Sequence, residues 1–218
     1  MIGLRPSDRL TESLLLFGAL FLPGYLAQGA GFDPSLLYQV SYNLSYLVST
    51  LPQIMLLVYL AARRGEPERY GLTGLRPADV PLVLIATVLL LAVAVPIGLV
   101  SSNALGPGAA GEPASPDLLT TLLVAVTAVA TGYREECFYR SMLYEALRSQ
   151  GASASIAVSL ASLLFAAGHV YQGVWAFVGS ALMAVILHGV FLRRRNIHIV
   201  GLAHGLYNFL ILMTLPAA

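Results

Sequence analysis

The fold is decided by residues 80–100, which read VPLVLIATVLLLAVAVPIGLV and contain no charged side chain. A membrane-spanning helix needs about 20 mostly apolar residues, and this run supplies them. The whole chain is also strongly apolar: its 218 residues are 57% hydrophobic and only 11% charged, and the mean hydropathy is +0.77. Ordinary soluble domains are about 25% charged. A chain this short cannot bury so much apolar surface in one globular core, so the sequence predicts an integral membrane protein.

Outward from this run, the apolar stretches predict an all-α, polytopic bundle of transmembrane helices. About seven spans are expected, and about six to eight fit the pattern. They cover residues 11–31, 36–62, 79–102, 117–148, 153–171, 173–192 and 197–216. The Gly- and Pro-rich residues 106–116 predict an external loop. This loop divides the chain into an N-terminal unit, residues 1–105, and a C-terminal unit, residues 117–218.

The arginines predict the orientation of the bundle. All 12 basic residues are arginines. They gather at the N-terminus, in residues 63–76, toward the end of the fourth span and at residues 193–195. By the positive-inside rule, these segments are cytoplasmic, which puts the N-terminus in the cytoplasm and the C-terminus outside. The absence of lysine is typical of a GC-rich bacterial genome, so a bacterial inner membrane is expected, and the net charge of +1 argues against a nucleic-acid partner.

Ionisable residues inside the spans indicate where chemistry takes place, because a charge at the centre of a membrane helix costs about 2.5–3.5 kcal/mol. The fourth span contains Glu135, Glu136 and Arg140. Glu136 and Arg140 are four residues apart and are expected to pair on one helix face, which leaves Glu135 free. Two carboxylates in such different environments suit acid–base chemistry. Considered alone, this helix fits an interfacial belt of charges equally well.

Histidines on two further spans favour a catalytic site over a belt of charges. The fifth span has Phe165 and His169 on one face, and the seventh has His204 and Asn208 on one face. A hairpin turn near Gly151 brings the glutamate pair and His169 to about the same level on antiparallel arms.

The other candidate residues of the second half have ordinary explanations. His188 and His198 fall near the ends of spans and are expected at the membrane interface. The single cysteine, Cys137, excludes an internal disulfide and is expected to be a small buried side chain.

Three motifs in a fixed order carry a family resemblance. They are EExxxR (Glu135, Glu136, Arg140), FxxxH (Phe165, His169) and HxxxN (His204, Asn208). The ordered set resembles the CPBP family, which comprises the CAAX prenyl proteases and the bacteriocin-processing Abi proteins, viewed as glutamic intramembrane proteases. The resemblance covers roughly residues 117–216, and residues 1–105 match only as generic spans.

The resemblance implies an intramembrane endopeptidase, which is a hydrolase. Glu135 would be the general base and would activate a water together with His169, while Glu136 would hold the helix and set the local charge. His204 and Asn208 would donate hydrogen bonds to the oxyanion of the tetrahedral intermediate. The supporting residues would be Arg140, Phe165 and Tyr139. The expected substrate is a membrane-embedded or lipidated peptide or protein, cut in or near its anchor, tail or leader.

Alternatives to this interpretation stay open. No cofactor is expected, but a zinc ion held by Glu135, His169 and His204 is the rival chemistry, although the spacing is not HExxH. A non-catalytic immunity or scaffold protein of the same fold is a second alternative. A small transporter that uses the carboxylates as a proton relay is a third. The sequence does not specify an oligomeric state.

Overall fold

The computed structural model describes residues 6–27, 34–105 and 115–214, and these ranges form a helical bundle without a strand. The first half contains α1 (Pro6–Leu20), α2 (Leu22–Leu26), α3 (Val40–Arg63) and α4 (Val80–Leu105). The second half contains α5 (Leu118–Glu136), a π-helical segment (Cys137–Leu143), α6 (Tyr144–Ser149), α7 (Ala154–Ala167), α8 (Val174–Arg194) and α9 (Ile197–Leu212). Short 3-10 turns occupy Pro34–Tyr38, Pro77–Asp79 and Val170–Gln172. The predicted all-α class is confirmed.

The helices agree with the predicted membrane spans. Among the described residues, three helices are long and apolar enough to cross a membrane, namely Val40–Arg63, Pro77–Val100 and Val174–Arg194. Ala154–Ala167 and Ile197–Leu212 are apolar but shorter. Each predicted span contains a helix, while the number of membrane crossings stays a prediction. Most of the predicted external loop, residues 106–114, lies outside the described residues.

Local side chains set the helix ends in the second half. At the starts of α5, α7 and α9, a side-chain oxygen accepts a hydrogen bond from a backbone N–H of the first turn; the acceptors are Asp117, Ser153 and Asn196 respectively. Gly151, with φ +85°, forms the turn between α6 and α7 at the predicted place.

α5 and α9 form the most extensive helix pair, and glycines allow their backbones to approach closely. A Cβ atom added to Gly132 on α5 would lie 2.7 Å from the backbone nitrogen of Gly205 on α9. A Cβ atom on Gly205 would lie 2.6 Å from Cα of Val129. Small residues at such a crossing replace side-chain packing with direct backbone contact, as in many membrane helix pairs. This crossing brings the end of α5 against the middle of α9.

Ion pairs connect the arginine-rich segments at one end of the bundle. They join Arg9 to Glu66, Arg64 to Glu12, Arg194 to Asp79, and both Arg69 and Arg195 to Glu145. Glu145 has a side chain only 2% exposed and lies 2.5 Å from each of its two arginine partners. The hydrogen bond with Glu145 raises the pKa of Arg69. The connections that the positive-inside rule assigns to one side therefore meet at one end of the molecule.

Candidate active site

The helix that carries the glutamate pair changes its hydrogen-bonding pattern directly after the pair. α5 ends at Glu136, and the π-helical segment Cys137–Leu143 follows without a break. Every residue of that segment is buried. π-helical turns are rare inside α-helices and are frequent at functional sites. No sequence pattern indicates this distortion, which occurs within the EExxxR motif.

Glu136 is the buried anchor of the candidate site. Its side chain and that of Arg140 are both 0% exposed, and Oε2 of Glu136 lies 2.9 Å from Nε of Arg140. The ion pair expected from the four-residue spacing is therefore present. The second oxygen, Oε1, lies 2.8 Å from Nδ1 of His204. An ionised carboxylate only accepts hydrogen bonds, so Nδ1 of His204 carries the proton of this bond.

Glu135 is more accessible than its neighbour and has looser contacts. Its side chain is 15% exposed, and Oε2 lies 3.7 Å from Nε2 of His204. Its other oxygen, Oε1, lies 3.7 Å from a terminal nitrogen of Arg134. These distances fit ion pairs but exceed hydrogen-bond lengths. His204 thus lies between the two carboxylates, and Glu135 keeps both oxygens available for a hydrogen-bond donor such as water.

The ring of Phe165 joins the other candidate residues. Phe165 is 4% exposed. Its ring centroid lies 4.7 Å from Cζ of Arg140, and 4.9 Å, 5.3 Å and 5.8 Å from the rings of His169, Tyr139 and His204. A single buried ring therefore contacts side chains from the π-helical segment, α9 and the turn after α7. This position explains physically why the second motif contains an aromatic residue.

His169 lies just beyond the end of α7. Its Nδ1 is 3.2 Å from the carbonyl oxygen of Phe165, so the neutral ring donates there and leaves Nε2 as the acceptor. Among the described residues, His169 makes no direct hydrogen bond to either glutamate. The expected cooperation of His169 with Glu135 therefore requires a bridging water.

Asn208 lies one turn after His204 on α9 and is half-buried. Its side-chain amide makes no hydrogen bond to another residue of the described ranges. The amide is therefore available to a ligand at the same helix face as His204.

The environments of the remaining histidines and of the cysteine are also clear. His188 is 0% exposed and its Nδ1 lies 3.0 Å from the carbonyl oxygen of Ala184, so the expectation of an interfacial side chain is wrong. The reason is that α8 packs this face against α7 and the π-helical segment. His198 is half-buried, with Nδ1 3.0 Å from the hydroxyl of Tyr133. Cys137 is buried, as expected.

The ion pair between Glu145 and Arg195 lies the same number of residues from the glutamates and from His204. Glu136 precedes Glu145 by nine residues, and His204 follows Arg195 by nine residues. The first stretch runs through the π-helical segment, and the second runs through the first two turns of α9. The chain continues for six residues from Glu145 to Gly151 before it reverses into α7, so this hairpin extends beyond the ion pair. The level of His169 in the membrane stays a prediction.

The first half of the chain contributes to the site, which sequence reasoning missed. The hydroxyl of Tyr25 in α2 lies 2.7 Å from the hydroxyl of Tyr139 and donates to the carbonyl oxygen of Leu164 at 2.6 Å. The guanidinium of Arg134 lies over the ring of Phe21, with Cζ 5.2 Å from its centroid. Aromatic residues recur every four positions from 17 to 25, and this helical spacing is the signal that could have identified them.

The zinc alternative depends on the Nε2 atoms of the two histidines. No group of three His, Cys, Asp or Glu side chains within the described residues is arranged to hold a metal ion. In the predicted zinc set, Nδ1 of His169 and Nδ1 of His204 each make a hydrogen bond, which orients the ring and leaves Nε2 as the atom that could bind a metal. That the reaction needs no cofactor stays a prediction, and it can be tested by treating the protein with a chelator.

A comparison with models of known protein families found a match in the second half of the chain. Residues 117–210 match the model of a family described as Rce1-like, type II CAAX prenyl endopeptidase. The matched segment runs from the residue that caps α5 into α9 and contains all three motifs. Comparisons with curated proteins and with solved structures each returned no match. The resemblance to the CAAX prenyl proteases is therefore confirmed for this part of the chain.

Proposed function

Since residues 117–210 match the model of the Rce1-like family of type II CAAX prenyl endopeptidases, we propose that this membrane protein is an intramembrane endopeptidase with Glu135 as its general base. Its substrate is a peptide or protein held at the membrane by a lipid group or an apolar segment. The scissile peptide bond lies in or near that anchor, tail or leader.

One observation carries the proposal: His204 lies between a buried glutamate and an accessible one. Glu136 is neutralised by Arg140 and holds Nδ1 of His204 at 2.8 Å. Glu135 lies 3.7 Å from Nε2 of the same ring and is partly exposed. Glu135 accepts the proton of a water that also hydrogen-bonds to Nε2 of His169. After attack on the carbonyl carbon, the same carboxyl group returns the proton to the leaving amine.

The oxyanion is stabilised by donors on α9. The amide of Asn208 donates directly. Nε2 of His204 donates only when the ring carries both protons, because Nδ1 already donates to Glu136. Donors of this kind contribute about 3–4 kcal/mol each to transition-state stabilisation in a water-excluded site.

We infer a bacterial inner membrane, with the N-terminus in the cytoplasm and the C-terminus outside. The ion pairs that gather the arginine-rich segments at one end of the bundle support this orientation. His204 then lies about 10 Å from the cytoplasmic end of α9, because it follows Ile197 by seven residues at about 1.5 Å each. A reporter enzyme fused after α9 that is active only outside the cytoplasm tests the orientation, and an inactive fusion contradicts it.

Peptide cleavage in lipid nanodiscs tests the function. Two internally quenched peptides are compared, one with a prenylated cysteine near its C-terminus and one with the same sequence and no lipid. Glu135→Gln is expected to lower the rate of cleavage about 10²–10⁴-fold, because a general base contributes that much. The matched control is Glu68→Gln, which changes an exposed glutamate in the loop before α4 and leaves the rate unchanged.

Three outcomes contradict parts of the proposal. Full activity of Glu135→Gln refutes the assignment of the base. Loss of activity with a chelator, restored by added zinc, refutes metal-free hydrolysis. A wild-type protein that cleaves neither peptide refutes a lipid-anchored tail as the substrate class.

A further inference from the structure

We propose that Tyr25 is a positioning residue that fixes the turn carrying His169 from the opposite half of the chain. Tyr25 belongs to α2 and lies outside the segment that matches the family model. The inference rests on the proposed function for its catalytic consequence, but the contact itself can be measured separately.

The carbonyl of Leu164 needs a partner because α7 ends just after it. In a continuing helix it would accept the N–H of Gly168, but that N–H instead bonds to the carbonyl of Phe165 at 3.1 Å. The last carbonyls of a helix are left without partners in this way. The hydroxyl of Tyr25 donates to the Leu164 oxygen at 2.6 Å and so completes the end of α7.

The same hydroxyl links the turn to the helix that carries the glutamates. A tyrosine hydroxyl has a single hydrogen, and that of Tyr25 is given to Leu164. The hydroxyl of Tyr139, 2.7 Å away, is therefore the donor to Tyr25. Tyr139 follows Glu135 by four residues, so a two-bond chain runs from the glutamate helix through α2 to the end of α7.

Gly168 provides the space that this contact needs. A Cβ atom at Gly168 would lie 2.8 Å from the ring of Tyr25. The φ angle of Gly168 is −66°, so its backbone conformation does not require glycine. The residue directly before His169 therefore lacks a side chain so that the Tyr25 ring can pack there. Because Nδ1 of His169 bonds to Phe165 in the same turn, its ring orientation depends on that turn.

Tyr25→Phe removes the hydroxyl and keeps the ring. We expect kcat for the cleaved peptide to fall about tenfold, which matches the loss of one buried hydrogen bond, with KM within about twofold of wild type. The matched control is Tyr38→Phe, because the Tyr38 hydroxyl makes the same type of bond to the carbonyl of Leu212 at the end of α9, at 2.5 Å. Tyr38→Phe is expected to have the same kcat as the wild-type protein.

Nitrogen-15 NMR of histidine-labelled protein supplies a readout that does not depend on activity. The His169 signals, assigned by their loss in His169→Gln, report whether Nδ1 keeps its hydrogen bond. Tyr25→Phe is expected to shift these signals and to leave those of His198 in place. Gly168→Ala pushes the Tyr25 ring away and is expected to shift them as well. In the double variant Gly168→Ala with Tyr25→Phe, the fold-decrease in kcat should be smaller than the product of the two single fold-decreases.

The outcomes separate this proposal from the proposed function. Unchanged His169 signals in Tyr25→Phe overturn the positioning role, whatever happens to kcat. Shifted signals with unchanged kcat uphold the positioning role and refute the catalytic role of His169. Fully multiplicative effects of Gly168→Ala and Tyr25→Phe on kcat also overturn the proposal, because both changes would then act at separate sites.

Discussion

Replacing Gly205 with alanine tests how the site is held together, because this residue lies where α9 crosses α5. The added Cβ atom would lie 2.6 Å from Cα of Val129 and 3.0 Å from its Cγ2. A backbone atom cannot rotate away as a side chain can. α9 must therefore move from α5 by about 1 Å before the two carbons reach an ordinary contact of about 3.5 Å.

The displacement is large enough to break the central hydrogen bond of the site. His204 is the neighbour of Gly205, and its bond to Glu136 would lengthen from 2.8 Å to about 3.8 Å, beyond hydrogen-bond range. A misplacement of about 1 Å at a catalytic group costs about 10²-fold in rate. Overpacking of this kind lowers the free energy of unfolding by about 1–3 kcal/mol. An alanine in an exposed helix position would instead raise it by about 0.5–1 kcal/mol.

Gly189→Ala on α8 is the matched control, because no atom lies within 4 Å of a Cβ added there. Both variants are measured in nanodiscs for kcat on the cleaved peptide and for the midpoint of thermal unfolding. We expect the control to have wild-type kcat and an equal or higher midpoint of thermal unfolding. In Gly205→Ala, we expect both kcat and the midpoint to fall. A Gly205→Ala protein with wild-type kcat and midpoint would refute the close helix crossing as the basis of the site.

Glu136→Gln leaves the Arg140 guanidinium buried without its counter-charge, so we expect the free energy of unfolding to fall by about 3–5 kcal/mol. Adding Arg140→Met to that variant should recover part of the loss in a denaturant titration, and no recovery would mean that the pair is not coupled. Glu145→Gln removes the charge that binds Arg195, so kcat should fall although Glu145 lies nine residues along the chain from Glu136. Unchanged kcat in Glu145→Gln would contradict the register that this ion pair is inferred to set.

Most of the fold follows from composition, because a membrane forces every backbone polar group into helical hydrogen bonds. The sixth predicted span, residues 173–192, corresponds to α8 at Val174–Arg194, and the turn near Gly151 is where the pattern predicts it. The first span is different, since it breaks at Phe21 into α1 and α2. Pro23 in the first turn of α2 is the local reason, because proline supplies no N–H for a continuing helix.

The site is predictable only where it depends on one helix. The pair of Glu136 and Arg140 follows from spacing alone, because the two residues lie one turn apart on a helix that continues from α5 into the π-helical segment. The position of His204 between both glutamates does not follow from spacing. It depends on how closely α9 approaches α5 and on their relative height, which are tertiary properties. The role of Tyr25 also escapes a motif search, because that residue lies far from the three motifs in the chain.

Two features are inferred to fix the geometry of the site, and two arginines balance its charge. Glycines at the crossing allow the close approach of α5 and α9, and the ion pair of Glu145 with Arg195 joins the segments at one end of both helices. Two carboxylates in a membrane need two cations. Arg140 supplies one and Arg134 the other, with Arg134 held over the ring of Phe21.

The charge balance has a consequence for the reaction. The formal charges of the two glutamates and the two arginines sum to zero, so these four side chains add no net charge to the bilayer. In the proposed reaction, Glu135 takes the proton of the attacking water, and the negative charge moves from its carboxylate to the oxyanion. The net charge of the site does not change in this step, and only its position does. The donors on α9 then act on a charge that has moved toward them, which is the condition for stabilising the transition state more than the ground state.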